Sequence, residues 1–176
     1  LPRAWSGTII GIGTPRPEPF DTSQARVLAL RGRLTAEMAG VTSTDIALGD
    51  PGLLASELIG RLPKRMHRTG YVPHWQDTSL GEPGDFIIDV RRPSREVITD
   101  IASCARIVSS SLHGIIVADA FGIPRMWSMF PGVQGGGHKF RDHGTVVGAF
   151  EPGEWKTASG PAVDAEGDAA MRRGTV

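Results

Sequence analysis

The residues best suited to chemistry form one run, Ser109–Gly114, between an apolar segment and a helix-like stretch. Free N–H groups and the dipole at the start of a helix favour an anion. Serine hydroxyls there can cap the helix or donate to phosphate and carboxylate oxygens, and the imidazole of His113 can give or accept a proton. The run predicts an anion site with His113 as acid or base. The alternative is that the serines only cap the helix and His113 only bonds a carbonyl.

A second candidate is the glycine-rich basic segment Gly135–His143. Its three glycines would let the backbone approach a ligand closely, and Lys139, Arg141 and two histidines supply positive charge. The segment suits a phosphate or a carboxylate. The alternative interpretation is a mobile surface loop.

Arg31 follows the apolar segment Val27–Leu30, at the carboxyl end of a predicted strand. A guanidinium at this position could clamp an acidic ligand in a bidentate manner. It could equally form a structural ion pair with Asp45 or Asp50, and the sequence does not choose between these two roles.

His74 lies at the end of another predicted strand and is followed by Trp75 and Asp77. A structural histidine is the more common outcome at such a position. The five histidines and one cysteine show no spacing typical of metal ligands, so no metal site is expected. The pair Gly11 and Gly13 lacks the third glycine and the distal acid of a dinucleotide fingerprint.

Short apolar runs alternate with helix-like stretches, which predicts an α/β fold with a doubly wound parallel sheet. In such sheets, ligands bind at the carboxyl ends of the strands. The predicted strands are Thr8–Gly13, Arg26–Leu30, Asp45–Leu48, Gly70–Trp75, Asp85–Val90, Arg106–Ser109 and Arg125–Trp127, and the predicted helices are Leu34–Met38, Gly52–Ile59, Ser94–Ile101 and Gly114–Phe121.

The composition is that of an ordinary globular protein. Nineteen basic residues balance nineteen acidic ones among 176, which gives no reason to expect a nucleic-acid partner. The lone Cys104 lies in an apolar run and is expected in the core. No apolar stretch approaches the roughly 20 residues that span a bilayer, and the first residues do not resemble a signal peptide. We therefore expect a soluble, cytoplasmic chain.

Several segments, in this order, resemble polysaccharide pyruvyl transferases, and the resemblance runs from about residue 8 to about residue 148. The segment from Ile107 to Pro124 is the most specific of them. The resembling segments are Leu30–Thr35, Leu48–Leu54, Val72–His74 and Ile107–Pro124.

The resemblance implies two Rossmann-like halves facing a cleft, similar to the GT-B architecture of many glycosyltransferases. It also implies transfer of a pyruvyl group from phosphoenolpyruvate, as donor substrate without a cofactor, to two sugar hydroxyls of a polysaccharide. The acceptor saccharide could be lipid-linked. His113 is the expected acid/base, and Lys139 is expected at the donor phosphate. Substrate contacts are expected from Arg31, His74, Ser110, Ser111, Leu112, Gly114 and Lys139.

Two departures from the family pattern bear on activity. Many relatives have Arg where this chain has Ser111. Loss of that cation would weaken the contact with the donor unless Arg106, Lys139 or Arg141 compensates. Relatives are usually longer, so we expect residues 1–62 to be the end of an N-terminal half, 63–150 a donor-binding domain and 151–176 a partly disordered tail. The chain is then a fragment or a shortened form.

Two other functions stay open: a non-catalytic anion- or sugar-binding remnant, and a glycosyltransferase that uses a nucleotide sugar.

Overall fold

The computed structural model describes residues 6–41, 46–60, 62–77, 85–129, 131–132 and 135–158. The chain forms two compact units. Unit 1 comprises Leu1–Pro51 and Gln134–Ala149, and unit 2 comprises Gly52–Val133 and Phe150–Val176. Residues 134–149 group with unit 1, and the domain divisions after residues 62 and 150 stay a prediction.

Unit 2 contains a five-stranded sheet in the spatial order β6-β5-β7-β8-β9. The first four strands in that order are parallel, and β9 is antiparallel to β8. The strands are β5 (His67–Val72), β6 (Phe86–Ile87), β7 (Cys104–Ser109), β8 (Arg125–Trp127) and β9 (Trp155–Lys156). The prediction of an α/β fold with a mainly parallel sheet is confirmed, whereas the GT-B-like arrangement stays a prediction.

The strand order of unit 2 reverses between β5 and β7, because β6 lies on one side of β5 and β7 with β8 on the other. Helices α2 (Ser94–Ala102) and α3 (Leu112–Ala120) connect the parallel strands. The sheet and helices bury one apolar cluster that includes Ile101, Ile107 and Ile123. Such a reversal is a topological switch point, where open α/β sheets bind their ligands.

The described residues of unit 1 form two parallel two-stranded sheets and two helices. Strand β1 pairs with β2 and β3 pairs with β4, around a small buried cluster of Ile9, Leu30 and Ala39. The elements are β1 (Gly7–Ile9), β2 (Ala25–Val27), β3 (Ala29–Leu30), β4 (Ala47–Leu48), α1 (Arg33–Met38) and α4 (His138–Val147). Helix α4 comes from the far end of the sequence and packs against α1.

Several predicted elements differ from the structure. The strand predicted over Asp85–Val90 is reduced to β6, which among the described strands is bonded to β5 alone. Arg26–Leu30 is divided between two strands, and Gly52–Ile59 is a 3₁₀ helix over Pro51–Leu58. The expected tail contains β9; residues 159–176 lie outside the described residues.

Candidate functional site

The carboxyl ends of three parallel strands lie in register at one edge of the unit 2 sheet. Val72 of β5 pairs with Ser109 of β7, and Ser109 pairs with Trp127 of β8. Two loops leave this edge at the switch point: residues 73–77 after β5, and residues 110–111 after β7. The predicted Ser109–Gly114 run therefore occupies the position at which the fold class places a ligand.

Ser109 fastens the two loops to the sheet. Its side chain is fully buried, and its Oγ lies 2.8 Å from the carbonyl oxygens of both Val72 and Ser111. The same Oγ accepts a hydrogen bond from the N–H of Ser111 at 3.0 Å. Ser111 is the residue before α3, but its hydroxyl makes no capping bond to the helix. The alternative interpretation, in which the serines only cap the helix, therefore lacks a side-chain cap at Ser111 in this structure.

Ser110 joins the loop after β7 to the loop after β5. Its hydroxyl donates to Asp77 Oδ2 at 2.5 Å and accepts from the N–H of His74 at 2.8 Å. The hydroxyl of Tyr71 donates to the same Asp77 oxygen at 2.7 Å. Because Ser110 is fully buried, its side chain positions His74 and does not present a hydroxyl to a ligand in this structure.

His113 is the exposed residue of the run, between the buried Leu112 and the buried Gly114. It occupies the first turn of α3, where backbone N–H groups have no acceptor four residues earlier in the helix. Within the described part of the chain, the N–H groups of residues 112–114 donate to no other residue. The exposed His113 can therefore meet a solute at the start of α3.

Gly114 allows α3 to begin close to the sheet. A Cβ built at this position would lie 2.8 Å from Val72 Cγ1 and closer still to Ser109 Oγ. A Cβ essentially never approaches another heavy atom so closely, so only glycine fits without a shift of the helix. The geometry thus gives Gly114 a packing role: it sets the position of His113, its neighbour in the chain.

Arg31 forms a buried ion pair in unit 1. Its Nε donates to Asp142 Oδ2 at 2.9 Å, and one terminal nitrogen donates to the carbonyl oxygen of Thr14 at 2.8 Å. The predicted partner Asp50 does not appear in this ion pair, and Asp45 lies outside the described residues. Arg31 is buried and bonded to Asp142. Its guanidinium therefore forms an internal ion pair and is not free to clamp an acidic ligand, as the first interpretation of the sequence proposed.

Asp142 also holds the start of α1. Its carboxylate accepts the N–H of Thr35 at 2.8 Å and the hydroxyl of Thr35 at 2.6 Å. A helix start gains stability from an acceptor for its free N–H groups and from a negative charge. The residue before the helix, Gly32, has no side chain to cap it, and a Cβ there would collide with the backbone oxygen of Asp142. A residue of α4 thus caps α1.

Lys139 and His138 lie in the first turn of α4, beside the Arg31 network. Burial and then the positive charge of Arg31 lower the pKa of Lys139 from its ordinary value. Its Nζ lies 5.6 Å from the centre of the Phe140 ring, and Lys139 forms no ion pair within the described part of the chain. The Nε2 atom of His138 shares a 3.2 Å hydrogen bond with Thr14 Oγ1. A half-buried lysine next to an arginine is suited to bind an anion, because the anion would offset the repulsion between the two positive charges.

The structure brings His74, Ser110, Ser111, Leu112, His113 and Gly114 to one edge of unit 2, and Arg31 and Lys139 together in unit 1. The sequence interpretation did not assign roles to the two carboxylates that organise these groups, Asp77 and Asp142. The only local signal for Asp142 is its position as an acid between Arg141 and His143.

Among the proposed replacements for the missing cation at Ser111, Arg106 is engaged elsewhere. Its Nε donates to Thr69 Oγ1 at 2.9 Å, and its guanidinium stacks 4.9 Å from the centre of the Trp155 ring. Among the residues that the structure describes, no three His, Cys, Asp or Glu side chains are grouped to hold a metal ion. None of the described helices has the length and apolar character to cross a membrane.

Comparison with known proteins gives a family match. The family model described as polysaccharide pyruvyl transferase matches residues 22–127. The chain is 30% identical over 135 residues to the succinoglycan biosynthesis protein ExoV of Rhizobium meliloti (strain 1021), covering 70% of this chain and 42% of ExoV. It is 36% identical over 112 residues to the uncharacterized protein L143 of Acanthamoeba polyphaga mimivirus, covering 57% of this chain and 38% of L143.

The chain therefore spans about two fifths of the length of these two curated relatives, at 42% and 38%. No solved structure matches the chain.

Proposed function

This chain belongs to the polysaccharide pyruvyl transferase family, and we propose that it transfers the pyruvyl group of phosphoenolpyruvate to a bacterial polysaccharide. Two hydroxyls of one sugar residue would attack the same carbon and form a cyclic ketal. The similarity to a succinoglycan biosynthesis protein supports an exopolysaccharide acceptor, which could be lipid-linked. We place the reaction in the cytoplasm, where phosphoenolpyruvate is made.

The observation that carries the proposal is the position of His113. It is exposed at the first turn of α3, at the switch point of a parallel sheet. The neighbouring N–H groups suit the carboxylate of phosphoenolpyruvate, because helix N-termini bind anions through these groups and the helix dipole. An imidazole at this place can give a proton to a bound substrate or accept one from it.

The proposed reaction needs a proton donor and then a proton acceptor. His113 gives a proton to the methylene carbon of phosphoenolpyruvate, which becomes a methyl group and leaves C2 electrophilic. The first sugar hydroxyl adds to C2 and returns its proton to His113. Phosphate then leaves C2, the second hydroxyl closes the ketal, and its proton departs with phosphate. One side chain can perform both transfers in alternation, so no cofactor is required.

Lys139 is the proposed contact for the donor phosphate. An anion at its amine would offset the repulsion from Arg31 and favour the protonated form. Arg31 would act through this charge and through its pair with Asp142, since its own side chain is buried. Pre-formed cations lower the barrier to reactions in which negative charge moves onto phosphate.

The test is isothermal titration of the folded chain with phosphoenolpyruvate, UDP-glucose and GDP-mannose in turn. We expect phosphoenolpyruvate to bind and both nucleotide sugars not to bind. Binding should weaken at least tenfold in His113→Ala and in Lys139→Ala, and it should be unchanged in Lys156→Ala, which removes an exposed lysine of β9.

Binding of a nucleotide sugar alone would favour a glycosyltransferase. Binding of none of the three would favour the non-catalytic remnant. If phosphoenolpyruvate binds, release of inorganic phosphate with an acid-depyruvylated exopolysaccharide as acceptor measures transfer, and His113→Ala should abolish it.

A further inference from the structure

We propose that Trp75 stacks on a sugar ring of the acceptor, an inference that rests on the proposed function and adds to it the residue that contacts the saccharide. The indole of Trp75 is 65% exposed in the turn that follows β5. This turn leaves the sheet at the switch point, next to the loop that leads to His113. An acceptor held there would lie at the edge that carries the proposed acid/base.

The turn that carries Trp75 is fixed on both sides of the indole. Before it, the N–H of His74 donates to Ser110 Oγ at 2.8 Å. After it, the N–H of Asp77 donates to the carbonyl oxygen of His74 at 2.7 Å, and the Asp77 carboxylate accepts the hydroxyls of Ser110 and Tyr71. An aromatic ring presented by a fixed turn loses less conformational entropy on binding than one on a flexible loop.

The chemistry of a pyranose suits this surface. A sugar ring has an apolar face of C–H groups and an edge of hydroxyls. The face of an indole is electronegative, so it attracts the slightly positive C–H hydrogens while both surfaces are removed from water. The ring of His74 lies 5.9 Å from the Trp75 ring at an angle of 37°, so a polar ring lies next to the indole. A stacked sugar could then direct a hydroxyl towards His74.

The other described tryptophans lack such a surface. Trp127 is buried and meets the Phe150 ring edge-on at 6.4 Å. Trp155 is 40% exposed, but the guanidinium of Arg106 covers its ring at 4.9 Å. Within the described residues, the ring contact of Trp75 is with His74 alone. Trp155 is therefore a matched control, because it is an exposed tryptophan of the same unit whose ring is covered by the guanidinium of Arg106.

The experiment follows the indole N–H signals of the full chain by ¹H–¹⁵N NMR. Single Trp→Phe variants assign the signals, and methyl β-D-glucopyranoside, methyl β-D-galactopyranoside and methyl α-D-mannopyranoside are then titrated without phosphoenolpyruvate. We expect at least one glycoside to shift the Trp75 signal with saturation and to leave the Trp155 signal in place. Trp75→Ala should weaken that binding at least tenfold, and Trp155→Ala should not change it.

Absence of any saturable shift at Trp75 in the folded chain, or a shift confined to Trp155, would overturn the proposal. Titration of Trp75→Ala with phosphoenolpyruvate separates this inference from the proposed function, and we expect unchanged donor affinity. Sugar binding at Trp75 without any donor binding would leave the stacking site standing while the pyruvyl transfer fails. Binding of phosphoenolpyruvate without a shift of the Trp75 signal would support the donor site and overturn the stacking proposal.

Discussion

Arg31 and Asp142 form a buried ion pair in which Nε and Oδ2 are 2.9 Å apart, although the residues are separated by 111 positions in the sequence. The pair joins the end of β3 to α4, and the same carboxylate caps α1 through Thr35. Burial, and after it the charge of Arg31, lowers the pKa of Lys139. One carboxylate thus organises the cationic part of unit 1.

Asp142→Ala should lower the free energy of unfolding by about 3–5 kcal/mol, because it leaves the Arg31 guanidinium buried without its counter-charge. Urea unfolding followed by circular dichroism measures the loss. Arg92→Ala is the control, since Arg92 bonds Glu96 at 2.8 Å on an exposed helix surface. Its effect should be about 0–1 kcal/mol. Equal losses in the two variants would contradict a special role for the buried pair.

Gly114→Ala should destabilise the chain by about 1–3 kcal/mol, because the added methyl group would lie 2.8 Å from Val72 Cγ1 and force α3 away from the sheet. In an open helix the same change stabilises by about 1 kcal/mol. Gly60→Ala is the control for an unobstructed glycine, since Gly60 lies in a bend outside any helix and no atom lies within 4 Å of a Cβ at that position. The thermal midpoints of the two variants make the comparison. A stability gain in Gly114→Ala would contradict the close packing.

Ser110→Ala should cost more stability than Tyr71→Phe. The serine change removes both the acceptor of the His74 N–H and a donor to Asp77, so we expect a loss of about 1–3 kcal/mol. The tyrosine change removes one hydrogen bond to Asp77, for about 0.5–1.5 kcal/mol. Chemical denaturation measures both. In addition, the Trp75 indole signal should move in Ser110→Ala; an unmoved signal would show that Ser110 does not hold the turn.

Lys139→Met should raise stability at neutral pH, by up to about 1 kcal/mol, while abolishing binding of phosphoenolpyruvate. Burial and the Arg31 charge lower the pKa of Lys139 below 10.5 in the folded state. Between that lowered value and 10.5, the unfolded chain therefore binds more protons than the folded chain, and stability rises with pH. The advantage of Lys139→Met should shrink through this window.

Thermal unfolding of both proteins between pH 7 and pH 11 measures the difference. Lys156→Met, which changes an exposed lysine, is the control and should show no gain at neutral pH. A Lys139→Met variant that is less stable than the original chain at pH 7 would contradict the repulsion from Arg31.

The sequence alone predicted the α/β class, the strand at Arg106–Ser109 and the helix that follows it. These predictions depend on local features: apolar runs, helix-start residues and the glycine and proline that follow Phe121. The position of His113 at a strand end also follows from them. The same local signals overestimated the strand at Asp85–Val90, because strand length depends on the partner strand and not on the run itself.

The tertiary structure alone decided which polar side chains are hydrogen-bonded inside the protein and which are exposed to solvent. Ser110 and His113 are three positions apart, yet Ser110 is buried and hydrogen-bonded to Asp77 whereas His113 is exposed. Arg31 could have paired with an acid nearby in the sequence, but the packing of α4 against α1 brings Asp142 to it. A sequence lists possible donors and acceptors; which of them meet depends on long-range packing, because a buried charge must find its partner wherever the fold places one.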